Sequence, residues 1–188
     1  MLAITDLQNL APARMQRAYG QASVSFHARE GRTHLDRLFQ EGCAKLRFPR
    51  PLGTDAPQAI LINTAGGLTG GDRFGTEVKL AEKAQTCITT QACERVYRST
   101  GADAVVTNRL RLSPGARLAW LPQETILFDG GRLSRTLDVD LAGDSELVAV
   151  EAVLFGRQAM GETLQSGHLH DRWRIRRDGR LIFADDLR

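Results

Sequence analysis

The chain has 188 residues, of which 42% are hydrophobic and 25% charged, and its net charge at pH 7 is +3. This composition is typical of one soluble globular domain that is large enough to bury a core. The small positive charge is compatible with an acidic partner surface and is far from that of a nucleic-acid-binding tail, and no stretch approaches the roughly 20 apolar residues of a membrane span.

Local features favour a cytoplasmic protein. The first twenty residues lack the charged start and apolar core of a signal peptide. The three cysteines, Cys43, Cys87 and Cys93, have no CxxC spacing. An odd set of this kind argues against a secreted disulfide framework and favours reduced thiols.

Apolar residues that alternate with polar ones predict strands along most of the chain. These segments recur about every ten residues and are separated by turn residues, as in Ser113-Pro-Gly115, Asp129-Gly-Gly131 and Asp178-Gly179. The predicted strands cover residues 22–28, 46–48, 59–62, 74–80, 86–90, 105–112, 116–121, 125–128, 133–141, 146–155, 172–176 and 181–183.

Helix signals are few. Leu35, Leu38 and Phe39 share one side of a possible short helix over residues 34–40, and a second candidate covers residues 91–99. We therefore predict one mostly β domain over residues 1–188. Its multi-stranded antiparallel or mixed sheets form layers or a helical coil, with one or two short helices.

A glycine-rich segment, NTAGGLTGGD over residues 63–72, follows an apolar run. A phosphate-binding P-loop needs a lysine and a hydroxyl after its last glycine, and here Asp72 and Arg73 follow. The dinucleotide-binding glycine spacing is also absent. The segment is better explained as a turn between two strands that lets another chain approach the backbone closely.

The strand predicted near residue 172 carries many cations on one face. His168 and His170 would project together as a two-ligand metal corner, but Arg172, Arg174 and Arg176 continue that face and disfavour a metal ion. A basic strand face also allows an alternative function, an all-β ligand- or nucleic-acid-binding module. An aromatic content of 6% provides no stacking platform for that alternative.

Several carboxylates adjoin apolar or glycine-rich sequence instead of lying in charge runs. Oxygen ligands bind divalent ions, and a sparse set without thiolates would bind them weakly and exchangeably. Salt bridges and turn caps are the ordinary alternatives for each of them. The set comprises Asp72, Glu94, Glu124, Asp129, Glu151 and Glu162.

Seven segments together give the chain a family resemblance. In order and spacing the chain resembles the UreD family of urease accessory proteins, called UreH in some organisms, from about residue 23 to its end. Members of that family usually continue further, so the chain resembles a C-terminally truncated member. The segments are FPRP (48–51), NTAGGLTGGD (63–72), TTQ (89–91), VYRS (96–99), WLPQETILFD (120–129), GRQAMGE (156–162) and DRWRIRRDG (171–179).

The resemblance implies a β-rich scaffold and not an enzyme. Such a protein binds apo-urease and the accessory protein UreF, which recruits the GTPase UreG, and helps to deliver nickel through an internal passage. It implies no tightly bound cofactor, only a nickel ion in transit. We expect Asp72, Glu94, Glu124 and Glu151 to line the passage.

The resemblance also implies a role for the glycine-rich segment. We expect its glycines to contribute to an interface where strands or a partner chain lie close together. They are Gly66, Gly67, Gly70 and Gly71. No family role transfers to His168 and His170.

Overall fold

The computed structural model describes residues 16–50, 56–157 and 160–188, which form fifteen β-strands and no α-helix. Parts of three sequence predictions lie outside these ranges: residues 1–15 of the segment predicted to lack a signal peptide, Pro51 of the FPRP segment, and residues 158–159 of the GRQAMGE segment. In chain order the strands are β1 (Tyr19–Arg29), β2 (Arg32–Gly42), β3 (Ala44–Arg47), β4 (Gln58–Asn63), β5 (Arg73–Leu80), β6 (Gln85–Thr90), β7 (Glu94–Val96), β8 (Ala104–Leu112), β9 (Arg117–Leu121), β10 (Thr125–Leu127), β11 (Arg132–Leu141), β12 (Glu146–Ala149), β13 (Val153–Phe155), β14 (His168–Arg177) and β15 (Arg180–Leu187).

The middle of the chain winds into a coil of parallel strands. Each turn of the coil supplies one strand to each of three sheets: β5, β6 and β7, then β8, β9 and β10, then β11, β12 and β13. Equivalent strands of successive turns pair in parallel. The mostly β prediction with mixed sheets is therefore confirmed, and the arrangement is the coiled one.

The seven-stranded sheet has the order β15-β14-β11-β8-β5-β1-β2, and its two outer pairs are antiparallel hairpins. The five-stranded sheet has the order β12-β9-β6-β4-β3, and the three-stranded sheet has the order β13-β10-β7. The β14–β15 hairpin turns at Asp178 and Gly179, both with positive φ, as the Asp-Gly pair predicts.

The core lies inside the coil. Alternate residues of the long strands face inward, so β11 shows a strict alternation of half-buried and buried positions. Burial of each large apolar side chain contributes about 1.5–3 kcal/mol, before the entropic cost of ordering the chain. The largest fully buried side chains are Trp120, Phe26, Leu46, Leu68, Leu80, Ile88, Leu110, Leu127, Leu133, Leu137, Val24 and Val78.

The prediction of a short helix over residues 34–40 is wrong, because β2 spans them. The pairing of β1 with β2 shifts register and leaves Asp36 as an extra residue. A bulge of this kind puts Leu35 and Leu38 on the same face of the sheet although they are three residues apart. The spacing that resembles one side of a helix is therefore that of a bulged edge strand.

Two further boundaries differ from the predictions. The helix predicted over residues 91–99 is instead a turn followed by the short strand β7. The single strand predicted over residues 146–155 is two strands, β12 and β13, which belong to different sheets. The corner between them contains Glu151, and an apolar pattern alone does not reveal where a strand passes from one sheet to the next.

The cysteines and the possibility of a membrane-spanning helix bear on two of the sequence predictions. Cys43, Cys87 and Cys93 are free thiols. Within residues 16–50, 56–157 and 160–188, no helix is long and apolar enough to cross a bilayer.

Candidate functional site

A small cavity lies inside the coil and is lined by side chains from all three sheets. Its volume is about 60 Å³, which is room for a few water molecules. Two of the four carboxylates predicted as passage ligands, Glu94 and Glu151, line it. The other polar side chains in its wall include Asn108, Thr125 and Arg135.

Glu94 is held at the start of β7, where its side chain is largely buried. Both of its carboxylate oxygens lie 3.2 Å from the Asn63 side-chain amide, which donates to them. Burial raises the pKa of Glu94 above its ordinary value of 4.5, and the bond from Asn63 offsets part of that rise. Protons therefore compete with a cation for Glu94 at higher pH than they would at an exposed carboxylate.

Glu94 also faces a second, larger pocket of about 210 Å³. The wall of that pocket includes Gly66, Gly67 and Arg95, and since Gly66 and Arg95 are exposed, the pocket reaches the surface. Glu94 thus lies between a surface pocket and the inner cavity. The glycine-rich segment forms part of the outer opening.

Glu151 lies deeper, at the corner between β12 and β13, and its side chain is 1% exposed. One oxygen, Oε1, accepts hydrogen bonds from Trp120 Nε1 at 2.9 Å and from Asn108 Nδ2 at 3.2 Å. The other, Oε2, has no hydrogen-bond partner among the described residues, although Arg135 Nε lies 3.2 Å away. Burial raises the pKa of Glu151, and the charge of Arg135 offsets part of the increase.

Arg135 projects inward from β11 and is shared by two carboxylates. Its Nε donates to Asp171 Oδ1 at 3.0 Å, and its Nη2 donates to Asp171 Oδ2. Its Nη1 donates to Thr125 Oγ1 at 3.3 Å. Because Nε is directed at Asp171, its contact with Glu151 is a charge contact and not a hydrogen bond. Burial opposes the charged form, but Asp171 and Glu151 together raise the pKa of Arg135.

Glu124 does not line the cavity, although it stands next to residues that do. The register of the three-stranded sheet puts Thr125 directly beside Glu94, so Thr125 takes the inward position. The backbone of Glu124 contributes instead, since its carbonyl accepts the N–H of Glu94 at 3.0 Å. A role for the Glu124 side chain as a passage ligand stays a prediction.

Asp72 is buried and already bonded at both carboxylate oxygens. Oδ1 accepts the backbone N–H of Ala18, and Oδ2 accepts that of Thr69, each at 2.8 Å. These bonds close the end of the glycine-rich turn and fix the entry to β1. Both cavities described above are lined by other residues, so the observed role of Asp72 is structural and its predicted role in the passage is untested.

The glycine-rich turn is closely packed against the segment that follows β7. A Cβ atom on Gly70 would lie 2.0 Å from Ser99 Oγ and 2.3 Å from the Ala102 carbonyl oxygen. On Gly67, which has a φ of +147°, it would lie 2.4 Å from the ring of Tyr97. Close approach is thus observed within the chain, whereas contact with a partner stays a prediction for Gly66, Gly67, Gly70 and Gly71.

Replacing Gly70 by alanine is expected to lower the free energy of unfolding by about 1–3 kcal/mol, the usual cost of overpacking. Urea unfolding measures this difference. Gly75→Ala is the matched control, because a Cβ there meets its nearest neighbour, Gln21 Cγ, at 3.9 Å. Equal stability of the two variants would show that the turn adapts to a side chain at residue 70.

The basic residues predicted to share one face lie at alternate positions of the single strand β14. Acidic side chains neutralise much of their charge. Arg176 pairs with Asp138 at 2.6 Å, and Arg174 pairs with Asp186 at 3.2 Å. Asp186 also contacts His170 at 2.9 Å. The face, which includes Arg172, therefore has mixed charge. This weakens the observation that favoured nucleic-acid binding.

The sequence predictions missed several residues of the site. Two of them, Arg135 and Asp171, have a signal in the strand alternation, since each is a charged residue at an inward position between apolar ones. Arg135 falls in step with Leu133 and Leu137. Such a residue in a coil interior needs a buried partner. The missed residues are Asn63, Asn108, Trp120, Arg135 and Asp171.

Among the described residues, no group of three or more His, Cys, Asp or Glu side chains is arranged to hold a metal ion. Glu94 and Glu151 are separate carboxylates along one interior space. Fold and site together define a coiled, mostly parallel β-scaffold with a small internal cavity that two carboxylates line.

Comparison with known proteins assigns the family. Residues 18–188 match the family model described as UreD urease accessory protein. The chain is 55% identical over 184 residues to urease accessory protein UreD of Chelativorans sp. (strain BNC1), 53% over 176 residues to that of Agrobacterium fabrum, and 51% over 189 residues to UreD 1 of Brucella anthropi. These alignments cover 94–98% of this chain and 62–66% of the relatives, so the chain spans less than two thirds of their length. The chain belongs to the UreD urease accessory protein family.

Proposed function

We propose that the chain acts in urease maturation as a non-catalytic cytoplasmic scaffold that passes nickel toward the urease active site. Membership of the UreD family supports this role. In the proposal the scaffold binds apo-urease and UreF, and UreF connects it to the GTPase UreG. Nickel is the cargo and not a resident cofactor.

One observation carries the proposal beyond the family name. Glu94 lines both the surface pocket and the inner cavity, and Glu151 lines the inner cavity. Carboxylate oxygens spaced along an interior path bind a divalent ion without the affinity of a thiolate or imidazole site. An ion that enters past the glycine-rich segment would therefore meet Glu94 first and Glu151 next.

The test is nickel loading of urease in cells that co-express the urease subunits and the accessory proteins. Glu94→Gln and Glu151→Gln keep the side-chain size and remove the charge. Each is expected to lower the nickel content of purified urease at least about tenfold, since unit charges 4 Å apart interact by about 4 kcal/mol at an effective dielectric constant near 20. Glu146→Gln, at an exposed surface position, is the control.

Assembly is measured in the same cells by co-purification with urease and UreF. The proposal expects the complexes to form with both variants. Normal nickel content with Glu94→Gln and Glu151→Gln would overturn the passage. Variants of Asp72 and Glu124 in the same assay test the other two predicted residues.

A further inference from the structure

We propose that the Arg135 side chain competes with the cargo cation for Glu151. In the absence of the ion Arg135 contacts Glu151, and a divalent ion displaces it from that carboxylate. This inference rests on the proposed passage and assigns a function to a residue that neither the sequence analysis nor the family name singles out. Arg135 would set how tightly the passage holds an ion.

The positive charge of Arg135 lies next to Glu151 in the wall of the inner cavity. The Arg135 guanidinium is buried in the cavity wall, and its Nε lies 3.2 Å from Glu151 Oε2. That oxygen makes no hydrogen bond with any residue in the part of the chain that the structure describes. A cation that binds to Glu151 would meet the positive charge of Arg135 at the same oxygen, where low polarity makes repulsion strong.

Arg135 also has a second buried acidic partner, Asp171. Asp171 lies directly opposite Arg135 in the paired strands β11 and β14 and accepts two hydrogen bonds from it. Arg135 can therefore lose its contact with Glu151 and still be paired with Asp171, so it does not become an unpaired buried charge. Two arrangements of the same three side chains follow, one with Glu151 shared with Arg135 and one with Glu151 free for the cargo.

Competition with the cargo can be distinguished from a role of Arg135 as a static ion-pair partner of Glu151. If Arg135 only keeps Glu151 ionised, its loss should raise the fraction of protonated Glu151 and weaken cation binding. If Arg135 competes with the cargo, its loss should strengthen cation binding. The two alternatives predict opposite signs for one measurement.

The experiment is equilibrium binding of NiCl₂ to the folded protein by calorimetry at pH 7.5. Arg135→Gln is expected to bind nickel at least tenfold more tightly than the unsubstituted protein, whereas Arg135→Lys, which keeps the charge, is expected to stay within about threefold of it. In the co-expression assay, tighter binding by Arg135→Gln should lower nickel transfer to urease. Unchanged or weaker binding by Arg135→Gln would overturn the inference.

Asp171→Asn tests the same inference in the other direction and serves if Arg135→Gln does not fold. A weaker alternative partner should leave Arg135 more firmly on Glu151, so nickel binding is expected to fall at least threefold. An increase would contradict the competition. Circular dichroism establishes that each variant is folded.

Adding Glu151→Gln to the Arg135→Gln protein distinguishes failure of the competitor from failure of the passage. Loss of the extra affinity in the double variant supports both. Retention of the extra affinity places the ion away from Glu151 and overturns both. If Arg135→Gln gains nothing while Glu151→Gln alone still lowers urease loading, only the competitor is rejected.

Discussion

Replacing Asp171 by alanine is expected to lower the free energy of unfolding by about 3–5 kcal/mol, because it removes one partner of a buried charge pair. The side chains of Arg135 and Asp171 are 6% and 9% exposed, so bulk solvent has little access to replace the lost carboxylate. Among the described residues, Glu151 would then be the one acid left in contact with Arg135. Unfolding in urea, with linear extrapolation to water, measures the loss.

Two controls compare the loss at Asp171 with the loss of an exposed acid and with the removal of both buried charges. Asp186→Ala removes an acid that pairs with His170 and Arg174 at the surface, and a much smaller loss is expected there because solvent screens exposed pairs. Combining Arg135→Met with Asp171→Leu removes both charges and should recover much of the stability, since an apolar pair of similar size is often tolerated. A loss for Asp171→Ala no larger than that for Asp186→Ala would show that water reaches the pair.

Strand alternation made much of the seven-stranded sheet predictable. Leu133 to Leu141, for example, alternate regularly, and every second residue is buried. The direction of pairing was not predictable in the same way, because inward and outward residues alternate equally in parallel and antiparallel strands. Parallel pairing between β5 and β8 joins residues about thirty positions apart, and no local pattern encodes it.

The candidate site shows the same division. Apolar surroundings mark Glu94 and Glu151 only as candidate carboxylates, and the family resemblance supplies their expected role in a passage; both line the inner cavity. Glu124 met the same criterion, but the register gives the inward position to Thr125. The alternation would have revealed Arg135 as a charge on an apolar face. Its position between two acids depends on the pairing of β11 with β14 and on the corner before β13, which only the folded chain defines.

Replacing Trp120 by alanine is expected to lower the free energy of unfolding by about 3–5 kcal/mol, the usual cost of emptying a core site of this size. Trp120 is 2% exposed and projects from β9 into the coil. Its Nε1 also donates to Glu151 at 2.9 Å, so the substitution leaves a cavity and removes a donor from a buried carboxylate. Urea unfolding measures the combined loss.

Trp120→Phe helps to separate these two contributions, because it keeps much of the aromatic volume that alanine loses and removes the N–H donor. A hydrogen bond to a charged group contributes about 1.5–3 kcal/mol, so the phenylalanine variant should lose less stability than the alanine variant. Weaker support for ionised Glu151 should also shift nickel binding to higher pH in this variant. If Trp120→Phe is as stable as the unsubstituted protein and binds nickel with the same pH dependence, the bond does not hold Glu151 in its ionised form. Trp120 would then act in the coil through packing alone.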